Sequence, residues 1–481
     1  MLGGFSGLSV EERASRLVDE GTLARLEPAG ADTSGVWLGG GRIEGRDILL
    51  ALTDGHRRGG TIGVADAAAL SRWIAAAQGR PIAAVVVCWD TGGVRVEEGP
   101  VALATASAVG VALARLSLVG PPVLTVVSGP RGCFGAPSVI AALSNWIVLT
   151  RGAHWGLTGP RLLEAGRVPA TVELGLEATS AENRLRRRHA DALVADSAEA
   201  VRAELARRLS RPQRLSRPAR ALDRAVLRTA KLLGQRERRG ARPRGGTRQV
   251  PTPRARGRDL LRFSFRGQWR PNGPRLDRGL VRAAWGSLSG KPALGILVGV
   301  ARRHEQGVGI EEANAIVEMV RFAVQHPGRD KAPILIFLFC QGHAVDVEEE
   351  AVGLHTALAD CMRSLVAARQ LGHPLLCVLG GGAYGAAYLT LAAPSHRILA
   401  IRGTTVAPMA PKVLASFQRL KGLKDNSQPG GDLAELIPEI RIVSSIVRLP
   451  RALREALQDV TGAARAERPT KRRVVASDQM R

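Results

Sequence analysis

The residues best suited to chemistry in this 481-residue chain are glycine-rich turns that open helices. Such a turn leaves main-chain N–H groups without helical partners, and donors converging on one point form a hole for an oxygen gaining negative charge. In the first half, Gly92 and Gly93 follow an apolar strand, and Gly132, Gly135 and Ala136 lie in a second turn, GPRGCFGAPS. In the second half, Gly342 and His343 follow ILIFLF, and Gly381, Gly385 and Ala386 lie in GGGAYGAAY. Losing one hole donor removes roughly 3–4 kcal/mol of transition-state stabilisation. Two facing holes suit loss of carbon dioxide from a malonyl thioester, because the cost of that reaction is an enolate oxygen. One hole would hold the thioester carbonyl and the other the departing carboxylate.

Other side chains sit beside these turns. His343 and Tyr384 are placed to contact substrate or to protonate the enolate. Arg95 could bind the substrate carboxylate or a phosphate, or be held in an ion pair by Glu97 or Glu98. Cys133 lacks a partnering base and reads as a small packing residue. The chain has no Gly-x-Ser-x-Gly elbow, P-loop or HExxH motif. GGGAYG lacks the acidic residue that a dinucleotide fingerprint needs about 20 residues on. The chemistry therefore rests on polarising a carbonyl. No metal site and no directly bound cofactor are expected.

The elements that must position these turns form a duplication. AVVVCW, DTGGVRVEE, a long Ala/Val/Leu helix, VLTVVSG, the glycine turn and WIVLTRG succeed one another in the first half. ILIFLF, CQGHAVDVEEE, a helix over 355–371, LLCVLG, the second glycine turn and RILAIRG repeat that order. Gly92 pairs with Gly342, Pro122 with Pro374 and Gly135 with Gly385, all about 250 residues apart. Continuous apolar strands alternating with helices predict α/β sheets buried on both faces, with ligand loops at the carboxyl edge. The first half opens with a helical prelude and a hairpin around VWLGGGRIEGRDILLALTD.

The net charge of +25 is concentrated: residues 202–282 hold 25 Lys and Arg against 5 Asp and Glu. Rich in Pro and Gly, this segment reads as a basic, extended linker, with docking of an acidic partner as the alternative use. Its few aromatics argue against a nucleic-acid role. Arg115 and Pro121-Pro122 interrupt the most apolar stretch, so no membrane span is expected, and five unpaired cysteines fit a cytoplasmic protein. The expected division is 1–210, a largely irregular linker over 211–285, a second domain over 286–470, and a tail over 471–481.

The segments GHRRGGTIGVADAAAL, DTGGVRVEE and GCFGAPSVIAALSNWIVLTRGAHWGLTGPRLLEAG resemble the malonate decarboxylase beta subunit. Residues 292–423, with HRILAI and VAPMAPKV, resemble the gamma subunit. The resemblance implies two tandem crotonase-like (ClpP/crotonase) domains of the acyl-CoA carboxyltransferase group. It further implies decarboxylation of a malonyl thioester borne on the CoA-like prosthetic group of an acyl carrier protein. Partners would be that carrier (delta) subunit and an alpha transferase subunit, with a homo-oligomer open. Carried over, the beta-type hole falls on 132–136 and the gamma-type hole on Gly385 and Ala386, with Lys412 near the prosthetic group. Ala136 stands where beta subunits read glycine, and 406–412 departs from the gamma pattern Val-His-Ala-Met-Gly-Lys. A biotin-dependent acyl-CoA carboxyltransferase and an inactive carrier-binding scaffold are the alternatives.

Overall fold

The computed structural model describes residues 4–26, 35–164, 171–211, 218–238, 269–288, 290–299, 307–326, 331–421 and 433–466. The first half builds one sheet from β1 (Ala24–Arg25), β2 (Val36–Ile43), β3 (Arg46–Thr53), β4 (Ala84–Trp89), β5 (Val123–Val127), β6 (Trp146–Thr150) and β7 (Ala192–Val194). These lie side by side in sequence order. The β2–β3 hairpin is antiparallel, turning through Glu44 and Gly45 at positive φ, and β3 to β7 run parallel.

The second half repeats this plan. It uses β8 (Trp269–Arg278), β9 (Val281–Leu288), β10 (Lys291–Val298), β11 (Ile334–Leu338), β12 (Leu375–Leu379), β14 (Arg397–Ile401) and β16 (Ile440–Val443), again neighbour to neighbour. An antiparallel β8–β9–β10 meander leads into parallel strands. A small parallel pair, β13 (Gly382–Tyr384) with β15 (Thr405–Ala407), stands apart. Its first-half counterpart shrinks to a bridge between Cys133 and Trp155. The central strands β4, β5, β11 and β12 are buried at every residue, as their unbroken apolar runs require.

The expected linker differs from expectation. Residues Pro218–Arg238 form a helix, and β8 with most of β9 also falls inside 211–285. The helix buries Ala221, Leu222, Ala225 and Leu232 on one face. Arginines crowd its other positions, so composition hid the helical period. The second sheet begins at Trp269, ahead of the expected boundary. Residues 239–268 and the tail over 471–481 lie outside the described residues.

The two halves share one core. The Leu354–Gln370 helix is buried along almost its whole length and packs on the Gly99–Val119 helix of the first half. Gly110 gives the room: a Cβ there would come 2.9 Å from the Met362 terminal methyl. Arg363 donates to the Ala142 carbonyl at 2.8 Å across the boundary. The Val96–Val119 stretch has the length and apolarity to cross a membrane, but here much of it is packed inside the protein.

Candidate functional site

Two loops per half reach the carboxyl edge of each sheet. In the first loop, Gly93 (φ +124) and Gly342 (φ +117) occupy equivalent places. Ile62 donates to the Gly93 carbonyl at 2.9 Å, and Val308 to that of Gly342 at 2.8 Å. The structural equivalence is therefore Gly93 with Gly342, one residue away from the Gly92 pairing read off the sequence. In the second loop, Gly135 (φ +65) and Gly385 (φ +50) mark the starts of short helices that take up Ala136 and Ala386. Such values favour glycine because a Cβ strains them. The loops also touch. A Cβ on Gly135 would sit 3.5 Å from the Gly93 Cα, and one on Gly342 would sit 3.4 Å from the Tyr384 carbonyl oxygen.

The four loops enclose one cavity of about 140 Å³ between the halves. Gly92, Gly93, Gly135 and Ala136 line it from the first half, and Gly342, His343, Tyr384, Gly385 and Ala386 from the second. Leu157, Thr158 and Met409 complete part of the wall. The two sets of turns thus face each other. Gly132 and Arg95 are not among the lining residues. Lys412 is the second residue of the Pro411–Lys421 helix, and its side chain lies outside the described residues.

Accounting for the amides corrects the expected donor set. Gly92 donates to the Gly59 carbonyl at 3.0 Å, Gly132 to Gly129 at 3.2 Å and Gly135 to Leu157 at 3.0 Å. Gly93 donates to the Thr91 hydroxyl at 3.1 Å. These four groups are spent on holding the loops in shape. The amides of Ala136, Gly342 and Ala386 have no acceptor among the described residues, whereas the pairing of Tyr384 with Ala407 in the β13–β15 ladder gives the Gly385 amide to the Ala407 carbonyl, as Gly135 is given to Leu157. The free donor of the first half is thus Ala136, the first residue of its helix, where the helical ladder has no acceptor to offer. Because the group is main chain, alanine in place of glycine leaves it intact.

Two side-chain expectations also change. The Arg95 guanidinium lies 2.6 Å from Asp66 and 3.2 Å from Glu98, nearly buried, so it ties the loop to the helix over Val64–Ala77. The substrate-carboxylate role falls away because that charge is already matched. Tyr384 lines the cavity, but its hydroxyl is 2.6 Å from the Thr405 hydroxyl. His343 stays facing the site, with Nε2 3.5 Å from the Thr158 hydroxyl. Cys133 is wholly buried, and burial followed by the nearby Asp90 charge pushes its thiol well above the ordinary range. It is no thiolate nucleophile.

Sequence reasoning missed Glu350. Its wholly buried carboxylate accepts the Leu157 amide at 3.0 Å and the Thr158 amide at 2.6 Å, both from the opposite half. Arg184 approaches it to 3.7 Å and donates to the Trp155 carbonyl and to the Glu350 carbonyl. Burial pushes the Glu350 pKa up while Arg184 and the two amides pull it back. The signal lay in the run Glu348-Glu349-Glu350. Glu349 accepts the Ile310 amide as Glu98 accepts that of Val64, leaving Glu350 as the acid without a first-half counterpart.

Comparison with known proteins follows the same division. The family model of the malonate decarboxylase gamma subunit matches residues 301–473, and that of the carboxyl transferase domain matches 12–189. The chain is 30% identical over 158 residues to the methylmalonyl-CoA carboxyltransferase 12S subunit of Propionibacterium freudenreichii subsp. shermanii, across 32% of this chain and 29% of that one. It is 26% identical over 199 residues to the malonyl-S-ACP:biotin-protein carboxyltransferase of Malonomonas rubra, across 33% of this chain and 59% of that one. The matched stretch is thus less than two thirds of either relative. A solved Pseudomonas malonate decarboxylase hetero-tetramer in complex with malonate is 28% identical, over 44% of this chain and 84% of that one, with a TM-score of 0.41.

Proposed function

We propose that this chain, which belongs to the carboxyltransferase group and joins a carboxyl transferase domain to a malonate decarboxylase gamma-subunit domain, decarboxylates a malonyl thioester. One observation carries the reading: unbonded main-chain amides from both halves, Ala136 on one side and Gly342 and Ala386 on the other, open on a single cavity. One set takes the thioester carbonyl and the other the carboxylate. The bond between the α-carbon and the carboxylate breaks, its electron pair moves to the carbonyl oxygen, and carbon dioxide leaves. The amides are strongest partners for the oxygen when its charge is greatest, which is the condition for catalysis. The enolate then takes a proton on carbon to give the acetyl thioester, and His343 is the side chain placed to supply it.

On this reading the acyl group arrives on the CoA-like prosthetic group of an acyl carrier protein, within an assembly that includes an alpha transferase subunit. Residues of the cavity would contact the thioester and the first atoms of that arm. The test is direct. Purified chain is mixed with malonyl-pantetheine and with malonyl-loaded carrier protein, and carbon dioxide is collected with and without biotin-protein. Release without biotin supports the proposal.

A second reading is carboxyl transfer to biotin, supported by the similarity to a carboxyltransferase that is named for a biotin-protein acceptor. Carbon dioxide or carboxybiotin formed only when biotin-protein is present would favour it. Tight carrier binding with neither product would leave a scaffold.

A further inference from the structure

The helix over Pro218–Arg238 has a second surface that the cavity does not use. Between it and the first half runs a groove of about 800 Å³ whose walls carry Arg188, Arg208, Arg224, Arg228, Lys231 and Arg363. The carboxylates that reach this cluster point inward. Buried Asp360 lies 2.8 Å from Arg228 and 2.5 Å from Arg363, and Asp191 accepts the Ile147 amide at 2.8 Å. Arg188, Arg224 and Lys231 are exposed and form no ion pair among the described residues, and the one carboxylate that acts on Arg224, Asp360, is already bound by Arg228 and Arg363. Burial and the neighbouring Arg228 pull the Arg224 pKa down, as crowded cations do.

Uncompensated positive charge of this density asks for an anion, and several features say which kind. Leu227 lines the same groove and is 71% exposed, an apolar anchor set among arginines. Among the described residues no aromatic ring lines the groove, so these offer bases nothing to stack on. The chain itself supplies no complement nearby in sequence, since residues 239–268 hold nine Arg and one Asp. The groove and the cavity also share an element. Gly135 and Ala136 at the start of the Ala136–Ala141 helix line the cavity, while Leu143, Ser144 and Asn145 just past its end line the groove.

We propose that this groove docks an acidic protein, by a carboxylate-rich face carrying an apolar residue that covers Leu227. The function proposed above names that protein as the substrate's carrier, and the inference rests on that reading for the partner's identity. Charge complementarity of this kind acts on encounter and affinity, not on the chemical step.

The experiment uses the full chain with Arg224→Glu and Lys231→Glu combined, two exposed positions whose substitution leaves the fold intact, as a thermal melt checks. Turnover is measured on malonyl-loaded carrier, malonyl-pantetheine and malonyl-CoA, and binding by anisotropy of dye-labelled carrier. Expected is a rise of about tenfold or more in KM and Kd for the carrier, shrinking with added salt, with kcat and malonyl-pantetheine turnover unchanged. Carrier kinetics and binding that equal wild type overturn the proposal, as does a wild-type chain that does not bind the carrier. A loss confined to malonyl-CoA overturns it in favour of a nucleotide-phosphate site. If no malonyl thioester is turned over, the decarboxylase reading fails, and the anisotropy still decides the groove.

Discussion

The Glu350 carboxylate accepts the Thr158 amide at 2.6 Å, joining a residue of the second half to a cavity-lining residue of the first. A carboxylate with no exposure, bonded to two amides and close to Arg184, does more than fill space. It fixes the Leu157–Thr158 wall against the helix over Val347–Val352. Glu350→Gln puts an amide donor where amides already donate and leaves Arg184 without its countercharge. Removing one partner of a buried pair costs about 3–5 kcal/mol. Denaturant unfolding of the variant should show a loss of that order, together with a fall in activity. Unchanged stability would mean that the wall is held by packing alone.

Ala136 supplies the free amide of the first half, and it can be deleted without touching a side chain. Position 136 opens a helix, where proline is tolerated because its fixed φ suits the first turn. Ala136→Pro should lower kcat by about 10²–10³-fold, the effect of losing one hole donor. The melting temperature should move little, and KM less than kcat. Full activity in a folded Ala136→Pro chain would remove this amide from the mechanism.

Two buried imidazoles tie the halves to pH. His189 contacts the Val352 carbonyl at 2.7 Å and the Thr356 hydroxyl at 3.2 Å. The His355 ring lies 4.4 Å from that of Trp155, tilted by 58°, and neither of its nitrogens has a hydrogen-bond partner among the described residues. Burial, then the Arg184 charge, pulls His189 down to about 3 and His355 well below its ordinary range. Both are neutral in the folded chain but take up protons near pH 6.5 when unfolded, so the unfolded state binds more protons in acid. Their contribution is present above about pH 6.5 and is lost as pH falls, at roughly 1.4 kcal/mol per unit for each. His355→Leu should flatten the wild-type dependence between about pH 6 and 4.5 by one such slope. Parallel profiles would mean that His355 is protonated in the folded state.

Much of this was legible in advance. Unbroken apolar strands and glycines at matched offsets revealed two copies of one sheet, because both signals are local. The helix over Pro218–Arg238 was not, since arginines on its outer positions swamped the spacing of Ala221, Leu222, Ala225 and Leu232. Nor could spacing say which amides stay free. Gly135 and Ala136 are adjacent, yet the Leu157 carbonyl takes one and spares the other. That choice depends on a loop residue some 20 positions away. Glu350 was hidden for the same reason: its partners lie at 157, 158 and 184, in the other half.

Arg95 offers the sharpest separation of a structural from a substrate role. Its guanidinium sits against Asp66, whose carboxylate also accepts the Gly35 amide at 3.2 Å and the Gly63 amide at 3.0 Å. An arginine waiting for a substrate would have its fork free, whereas this one is matched on two sides. Arg95→Met keeps the apolar stem and deletes the charge, leaving Asp66 buried beside amides alone. The expected cost is about 3–5 kcal/mol of stability, read from the denaturant midpoint. KM for a malonyl thioester should stay within about twofold of wild type, since a lost substrate ion pair would cost tenfold for every 1.4 kcal/mol it supplied. Adding Asp66→Asn to Arg95→Met should restore part of the stability, because the unpaired charge then disappears with its partner. A KM that climbs steeply while stability holds would return Arg95 to the substrate and undo this assignment.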